Sequence, residues 1–349
     1  MPQPNKWKTS ALNLQQDKEL IADIFTDCFK KQSFAFHAPD ALVPSRDDST
    51  LFTGSTISTF KYLFKSNEKN YRYFTRQKCL RTQNSKLLSK GEYPKWSSLF
   101  ESVGAICSSD YQREIVSSTL DFAKKLKYLK GVDYRFNISS SDIDLQRLLI
   151  SCDQNVPLHF DSQPKSYYRH VFGMENVSGR NCNLAVSIDG REFNDIGNLI
   201  IIEHLSEKIA LESAFGIETI VTRINGLDSS ILALPPCIDI EYPDSNMLLL
   251  IDALVSCIAI LSMKIKPVAT NRGRVLRRYL QGLSYLRIHS NTSLDEMENL
   301  AKNYERKFFG SNYIAHFILN YIQHYEQLRH EGIKENVINK TLTKKTLIA

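Results

Sequence analysis

The sequence predicts an α+β fold, in which a sheet with flanking helices is followed by a helical domain. Alternating or β-branched apolar residues predict strands at 183–189 and 196–205. The stretch 75–104 has two strand-like ends around a polar connection that is rich in turn residues. Near the end of the chain, the apolar run 247–263 predicts a buried helix.

Further elements follow from local patterns. Apolar residues at helical spacing predict an amphipathic helix over 14–31. We predict that the extended segment after it forms a strand that ends before Pro44, because proline cannot donate to a β-ladder. A helix over 114–128 carries lysines near its end, where they suit the helix dipole. The polar, lysine-rich tail 336–349 is predicted to be frayed.

Composition limits the function classes. The 349 residues are enough for two domains, and the net charge of +6 permits a nucleic-acid partner without requiring one. The seven cysteines form no Cys-x-x-Cys pair, which indicates free thiols in a reducing compartment. The polar N-terminus does not resemble a signal peptide, and the run 247–263 is short for a bilayer and contains Asp252. We therefore expect a cytoplasmic protein without a membrane partner.

Two arginine-bearing segments could bind anions. Arg81 follows the first strand of the stretch 75–104, and its guanidinium suits a phosphate or carboxylate. The alternative without a binding function is a surface hairpin with solvated charges. A second group could neutralise phosphates, and the alternative is a solvated helix face, which is the commoner fate of a charge run; its members are Arg272, Arg274, Arg277 and Arg278.

Longer motifs carry a family resemblance. Residues 76–81 read Arg-Gln-Lys-Cys-Leu-Arg, and residues 99–104 read Leu-Phe-Glu-Ser-Val-Gly. Together they resemble motif 2 of the class II aminoacyl-tRNA synthetases, in the version of the alanyl-tRNA synthetases. Residues 42–53 resemble motif 1 of that family, and residues 211–220 resemble motif 3. Residues 271–278 are similar to its Asn-Arg-Gly-Tyr-Val-Leu-Arg-Arg signature for recognition of the tRNA acceptor stem.

The resemblance implies an architecture and a set of ligands. The sheet of a class II core is mostly antiparallel and is flanked by helices. Residues 1–240 would form this catalytic core, with 129–168 as a divergent insertion, and 241–335 would form the helical tRNA-recognition domain. The protein would be a truncated and divergent paralogue. ATP with Mg²⁺, a small amino acid and the tRNA acceptor stem are the implied ligands.

The resemblance also implies site residues. In the ATP site, Arg81 would hold the α-phosphate and Phe100 would line the adenine pocket, and Glu101 and Arg223 complete the set. The amino-acid site would comprise Phe172, Glu212, Ala214 and Gly216, with Glu212 holding the ammonium and Gly216 opening a helix against the sheet. The tRNA site would comprise Asn271, Arg272, Arg274, Arg277 and Arg278.

Four positions depart from the family pattern. Thr219 replaces the arginine of motif 3 that helps to hold ATP, and Leu184 replaces a carboxylate. Glu212 stands where the family has the aspartate that grips the ammonium, and Ala214 stands in place of a small glycine. Because metal-bound ATP needs anionic oxygens near the phosphates, we assign no metal ligand.

Two functions from different classes remain open, and a third alternative has no ligand. The first is an ATP-dependent ligase that forms an aminoacyl-adenylate for transfer to tRNA or another acceptor. The second is a catalytically inactive paralogue that acts as a tRNA-binding or regulatory subunit. The third is a scaffold that binds neither ligand, since a fold alone does not fix function.

Overall fold

The computed structural model describes residues 11–47, 49–66, 68–88, 90, 94–235, 243–310 and 313–348. The chain divides into two compact units. The sheet unit comprises Leu12–Cys79 and Phe100–Leu227, and the helical unit comprises Leu80–Leu99 and the chain from Asp228 onward. The loop of the motif 2 stretch, Leu80–Leu99, groups with the helices.

The sheet unit is built on nine strands. Their bounds are β1 (Ala35–Phe36), β2 (Arg72–Leu80), β3 (Leu99–Ser108), β4 (Asp133–Ile138), β5 (Leu158–His159), β6 (Arg169–Val171), β7 (Val177–Ser187), β8 (Asn194–His204) and β9 (Glu207–Gly216). The order in the sheet is β1-β2-β3-β9-β8-β7-β4-β5, and β6 pairs with β7. The pairs from β3 through β9, β8 and β7 to β4 are antiparallel. The predicted α+β class with a mostly antiparallel sheet is confirmed.

The helices occupy both units. Those of the sheet unit are α1 (Ala11–Lys31), α2 (Ile57–Phe60), α3 (Gln112–Lys130), α4 (Ile143–Cys152) and α5 (Ile217–Ile224). Those of the helical unit are α6 (Ser245–Ser262), α7 (Asn271–His289), α8 (Leu294–Phe309), α9 (Tyr313–His330) and α10 (Glu335–Ile348). The helices predicted over 14–31, 114–128 and 247–263 are therefore confirmed as α1, α3 and α6, with ends that differ by at most three residues.

Two predictions about local structure are wrong. No strand ends before Pro44, since the only extended pairing in that segment is the two-residue strand β1. The region 129–168, which we predict as a divergent insertion, contributes to the sheet, because β4 pairs with β7 over six residues and buries Phe136 and Ile138. The described part of the tail is the helix α10 and is not frayed, because Ile338 and Leu342 are buried.

The two faces of the sheet have different partners. Side chains alternate between the faces of a strand, so Val103, Ala105 and Phe215 share one face. Helices α1 and α3 cover it, and the rings of Phe25 and Phe122 contact Phe215 at centroid distances of 6.0 and 5.0 Å. We call it the helix face. The opposite side, which carries the even-numbered residues of β3 and β9, is called the pocket face.

The helical unit has α6 at its centre. Among the described helices, α6 is long and apolar enough to cross a membrane by length and composition, but 72% of it is buried inside the structure. It packs against α7, α8 and α9. Burial of this kind is typical of the core helix of a helical bundle, as predicted for the apolar run.

Candidate functional site

Strand register brings the predicted amino-acid residues to one face. On β9, Gly216 lies opposite Ser102, Ala214 opposite Gly104 and Glu212 opposite Ile106 of β3. The even-numbered residues of β9 therefore lie side by side on the pocket face. On the other flank of β9, Ile200 of β8 lies opposite Glu212.

Phe172 completes this group. A Cβ at Gly179 of β7 would lie 2.8 Å from the Phe172 ring and 3.1 Å from Ile200. Only a glycine at this position lets the ring pack so closely on the sheet. The structure thus brings Phe172, Glu212, Ala214 and Gly216 together on the pocket face.

Glu212 is covered by a residue that the sequence did not point to. Its side chain is only 2% exposed, and Thr56 Oγ1 donates a 2.9 Å hydrogen bond to Glu212 Oε1. Gly104 makes room for Thr56, because a Cβ there would lie 2.2 Å from Thr56 Oγ1. Burial raises the pKa of Glu212 to about 7, although the Thr56 bond opposes the rise. Near neutral pH this carboxyl is therefore partly protonated, and a ligand ammonium would have to displace Thr56.

A second glycine that allows close packing lies at the start of α5. Gly216 ends β9 and is the N-cap of α5, as predicted. A Cβ at Gly216 would lie 3.1 Å from Thr219 Oγ1 and 3.6 Å from the Phe100 ring. Phe100, Gly216 and Thr219 therefore form a small group, in which a threonine hydroxyl stands where the family has an arginine.

Glu101 does not share the face of Phe100. Adjacent residues of a strand point to opposite sides, and Glu101 lies on the helix face. There Arg76 Nε donates to Glu101 Oε2 at 2.7 Å, and Arg76 Nη1 donates to Glu19 Oε2 of α1 at 2.7 Å. The side chains of Glu101 and Phe100 are thus not brought together, and a role for Glu101 in an ATP site stays a prediction.

Arg223 lies in α5 beside a cavity of about 140 Å³ that Glu192 and Asn194 also line. Burial lowers the pKa of Arg223, and the nearby carboxylates of Asp195 and Glu192 oppose this effect. It lies one turn beyond Thr219 on α5. This position does not by itself place its guanidinium beside Phe100.

A polar network next to the pocket face escaped the sequence analysis. Asp195 accepts hydrogen bonds from Asn137 Nδ2 at 2.9 Å, Asn183 Nδ2 at 2.7 Å and the Tyr167 hydroxyl at 2.7 Å. Asn183 and Asn137 are both buried. The signal in the sequence was polar residues at alternate strand positions, which ordinarily indicate a solvated face. Its donors satisfy Asp195, so the network is suited to fixing strand positions.

The residues do not fit a magnesium site of the family type. Leu184 is fully buried opposite Phe136, where the family has a carboxylate. Within the described ranges, no three His, Cys, Asp or Glu side chains are grouped to hold a metal ion. We therefore assign no step to a metal.

In the helical unit, Arg81 follows directly after β2, and its backbone N–H donates to Ser98 O at 2.9 Å. This bond closes the base of the loop 82–97. Below it, the buried Asp252 of α6 accepts from Ser98 N and Ser98 Oγ, both at 2.6 Å, and from Asn84 Nδ2 at 2.9 Å. Both ends of the loop are thus held by one carboxylate.

The predicted tRNA residues lie along α7, but not all on one side. Helical geometry turns by about 100° per residue, so Arg274 and Arg278 lie one turn apart on the same side. Both are exposed, and so is Asn271 at the start of the helix. Arg277 is half-buried at the edge of this strip, and Arg272 projects from a different side. The structure therefore groups Asn271, Arg274 and Arg278.

Gly273 has a packing reason within the signature. A Cβ there would lie 2.5 Å from the Lys266 carbonyl oxygen and 2.4 Å from the Val268 side chain. A side chain at this position would push the first turn of α7 away from residues 266–268. Gly273 thereby lets the first turn of α7 pack against residues 266–268, which sets the position of the neighbouring Arg274.

Among known proteins, the chain is similar to alanine–tRNA ligases. No protein-family model matches the chain. The alanine–tRNA ligase of Legionella pneumophila (strain Paris) is 24% identical over 303 residues, which cover 75% of this chain and 35% of that protein. The alanine–tRNA ligase of Wigglesworthia glossinidia brevipalpis is 22% identical over 313 residues, with the same coverage of each chain.

The resemblance to alanyl-tRNA synthetases is confirmed. The match with these alanine–tRNA ligases spans about a third of their length. Among solved structures, a histidyl-tRNA synthetase of S. aureus aligns at a TM-score of 0.41 and 10% identity, over 65% of this chain and 71% of that one. An asparaginyl-tRNA synthetase of Pyrococcus horikoshii aligns at 0.42 and 10%, over 64% and 68%.

Proposed function

We propose that this chain binds the acceptor stem of tRNA through α7 and does not activate an amino acid. One observation carries the proposal: Arg274 and Arg278 are exposed on the same side of α7, next to Asn271. Exposed arginines at one-turn spacing can each neutralise a backbone phosphate. The similarity of residues 271–278 to the acceptor-stem signature of alanyl-tRNA synthetases supports tRNA as the nucleic acid.

Features of the sheet unit argue against amino-acid activation. The carboxyl expected to hold an ammonium is buried under Thr56 and has a raised pKa. Glu101 is engaged by Arg76 on the helix face. Thr219 and Leu184 supply neither the cation nor the carboxylate that the family uses around ATP. The proposal therefore describes a binding protein in the cytoplasm, with the sheet unit as its scaffold.

Salt-dependent binding of the full chain to tRNA tests the role of α7. Arg274→Ala/Arg278→Ala removes two phosphate contacts, so the slope of log affinity against log salt should become shallower by roughly 1.4–1.8. Filter binding at several salt concentrations measures it.

The matched control is Arg306→Ala/Lys307→Ala, which removes two exposed basic residues from the last turn of α8. The control should keep the slope of the parent. Equal slopes for the parent and the α7 variant, or no binding of the parent at low salt, would contradict the proposal.

Amino-acid activation is the second candidate, and one observation favours it. Phe172, Glu212, Ala214 and Gly216 do share the pocket face, as that function requires. In this candidate, ATP would react with a small amino acid to give an aminoacyl-adenylate and pyrophosphate. Exchange of pyrophosphate into ATP separates the two candidates.

A further inference from the structure

Helix α10 packs on α9 and is hydrogen-bonded to α7. Gln281 Nε2 of α7 donates to Asn339 Oδ1 at 2.7 Å and to Glu335 Oε1 at 2.9 Å. Near the other end of the contact, Thr343 Oγ1 donates to the carbonyl oxygen of Pro267 at 3.4 Å. These bonds tie α10 to the middle of α7 at Gln281 and to the segment that precedes α7 at Pro267.

The buried residues of α10 decide which side faces solvent. Ile338 and Leu342 are 0% and 3% exposed and lie one turn apart. Lys340 and Lys344 follow each of them by two residues, which is about 200° around the helix. Both lysines are exposed, so two like charges one turn apart project from the outer side of α10.

The opposite border of the exposed strip of α7 is the start of the loop 82–97. A Cβ at Gly282 would lie 2.5 Å from Leu88 Cδ1, so α7 packs closely on this loop. Arg278 Nη1 donates to Ser85 Oγ at 3.3 Å. Lys86, the next residue, is exposed.

Helical rotation orders these contacts around α7. Taking Gln281, which meets α10, as the origin, Arg274 lies about 20° away, Arg278 about 60° and Gly282, which meets the loop, about 100°. The two exposed arginines therefore lie in the arc between α10 and the loop. Each border of that arc carries exposed lysine.

We infer that α10 is part of the RNA-binding surface, and that Lys340 and Lys344 contact phosphates of the same RNA that α7 binds. This inference rests on the proposed function of α7. Five exposed basic side chains would then follow the RNA backbone across two helices and a loop: Lys86, Arg274, Arg278, Lys340 and Lys344. Charge complementarity with a polyanion selects the partner.

A membrane surface would be the other anionic partner, but the packing of α10 disfavours it. A basic helix binds a lipid surface by inserting its apolar side. Ile338 and Leu342 of α10 are buried within the helical unit and are not available for insertion, which leaves Val337 as the one exposed apolar side chain in the part of α10 up to residue 344. RNA is therefore the occupant to which we commit.

The test compares three double variants of the full chain for binding to tRNA over a range of salt. Lys340→Gln/Lys344→Gln removes both charges but keeps good helix formers. The salt slope should become shallower by roughly 1.4–1.8, as for Arg274→Ala/Arg278→Ala. The control Arg306→Ala/Lys307→Ala should keep the slope of the parent, and circular dichroism should show the same helix content throughout.

The outcomes separate the inference from the proposed function. If the α7 variant loses slope and the α10 variant does not, the inference about α10 is overturned and the role of α7 stands. If the parent does not bind tRNA at low salt, both are overturned. Weaker binding of the α10 variant to vesicles with anionic lipid, with tRNA binding unchanged, also overturns the inference.

Discussion

At the scale of single residues, the chemistry of the pocket face depends on Glu212. Glutamate is one methylene longer than the aspartate that the family has at this position. In this structure the carboxyl meets Thr56 and is 2% exposed. Without a cation beside it, burial favours the protonated form. The residue therefore behaves as a buried hydrogen-bonding group.

The raised pKa of Glu212 predicts a pH dependence of stability. Because the folded-state pKa is about 7, above the ordinary 4.5, the folded protein holds the proton more tightly than the unfolded chain does. The resulting stability is fully present below pH 4.5 and is lost as the pH rises towards 7. The same direction applies to Asp252, whose pKa burial raises to about 6.

Glu212→Gln should remove the share of this dependence that belongs to Glu212. The parent should lose roughly 2–3 kcal/mol more unfolding free energy than the variant between pH 5 and pH 8. Urea unfolding of both proteins at the two pH values measures the difference. An identical loss in the parent and the variant would mean that Glu212 is not buried and neutral.

Strand alternation and helical rotation already predict, from the sequence alone, which of the candidate side chains can share a face. Phe100 and Glu101 are neighbours in a strand, so they could never have faced the same pocket. The helical rotation of 100° per residue likewise separates Arg272 from Arg274 and Arg278. The cover over Glu212 could not be predicted, since Thr56 is 156 residues away in the chain and only the packed sheet brings them together.

At the scale of elements, α6 explains an anomaly in the sequence. Asp252 interrupts an apolar run and is fully buried, yet its carboxylate accepts three hydrogen bonds, two from Ser98 and one from Asn84. The Tyr279 hydroxyl of α7 donates to Ser98 Oγ at 2.9 Å and extends the network. A charge at the centre of this helix therefore holds the base of the loop that follows Arg81.

Removing that carboxylate should destabilise the helical unit. Asp252→Ala leaves the Ser98 N–H, the Ser98 hydroxyl and the Asn84 amide without an acceptor, at a cost of roughly 3 kcal/mol or more. Thermal unfolding followed by circular dichroism measures it. Asp244→Ala is a control on the same helix, where the lost N-cap bond to Met247 N should cost only about 1 kcal/mol. Equal effects of the two substitutions would contradict the network.

Elements with a clear period were predictable, and those defined by partners were not. The apolar run that became α6 and the alternation in β7 and β8 were each visible in a short window. Strand β4 was missed because it resembles nothing in the family, although Tyr134, Phe136 and Ile138 alternate with polar residues. Helix α10 was missed because its polar composition indicates a frayed tail unless the burial of Ile338 and Leu342 is known.

At the scale of the whole molecule, the two units bear on different parts of the proposed function. The sheet unit bears on amino-acid activation, and the helical unit bears on tRNA binding. The sheet unit brings Phe172, Glu212, Ala214 and Gly216 to the pocket face, but Glu212, Ala214, Thr219 and Leu184 depart from the family pattern. The helical unit keeps an exposed basic strip on α7. An exposed basic strip beside an altered pocket face is what the proposed function, tRNA binding without amino-acid activation, requires.

Pyrophosphate–ATP exchange with each of the twenty amino acids tests this central claim most directly. The measurement uses the full chain in a preparation that binds tRNA at low salt, so that loss of folding is not mistaken for loss of activity. The account predicts exchange no higher than the background without amino acid. Amino-acid-dependent exchange, above all with alanine, glycine or serine, would contradict it and establish the chain as an adenylate-forming ligase.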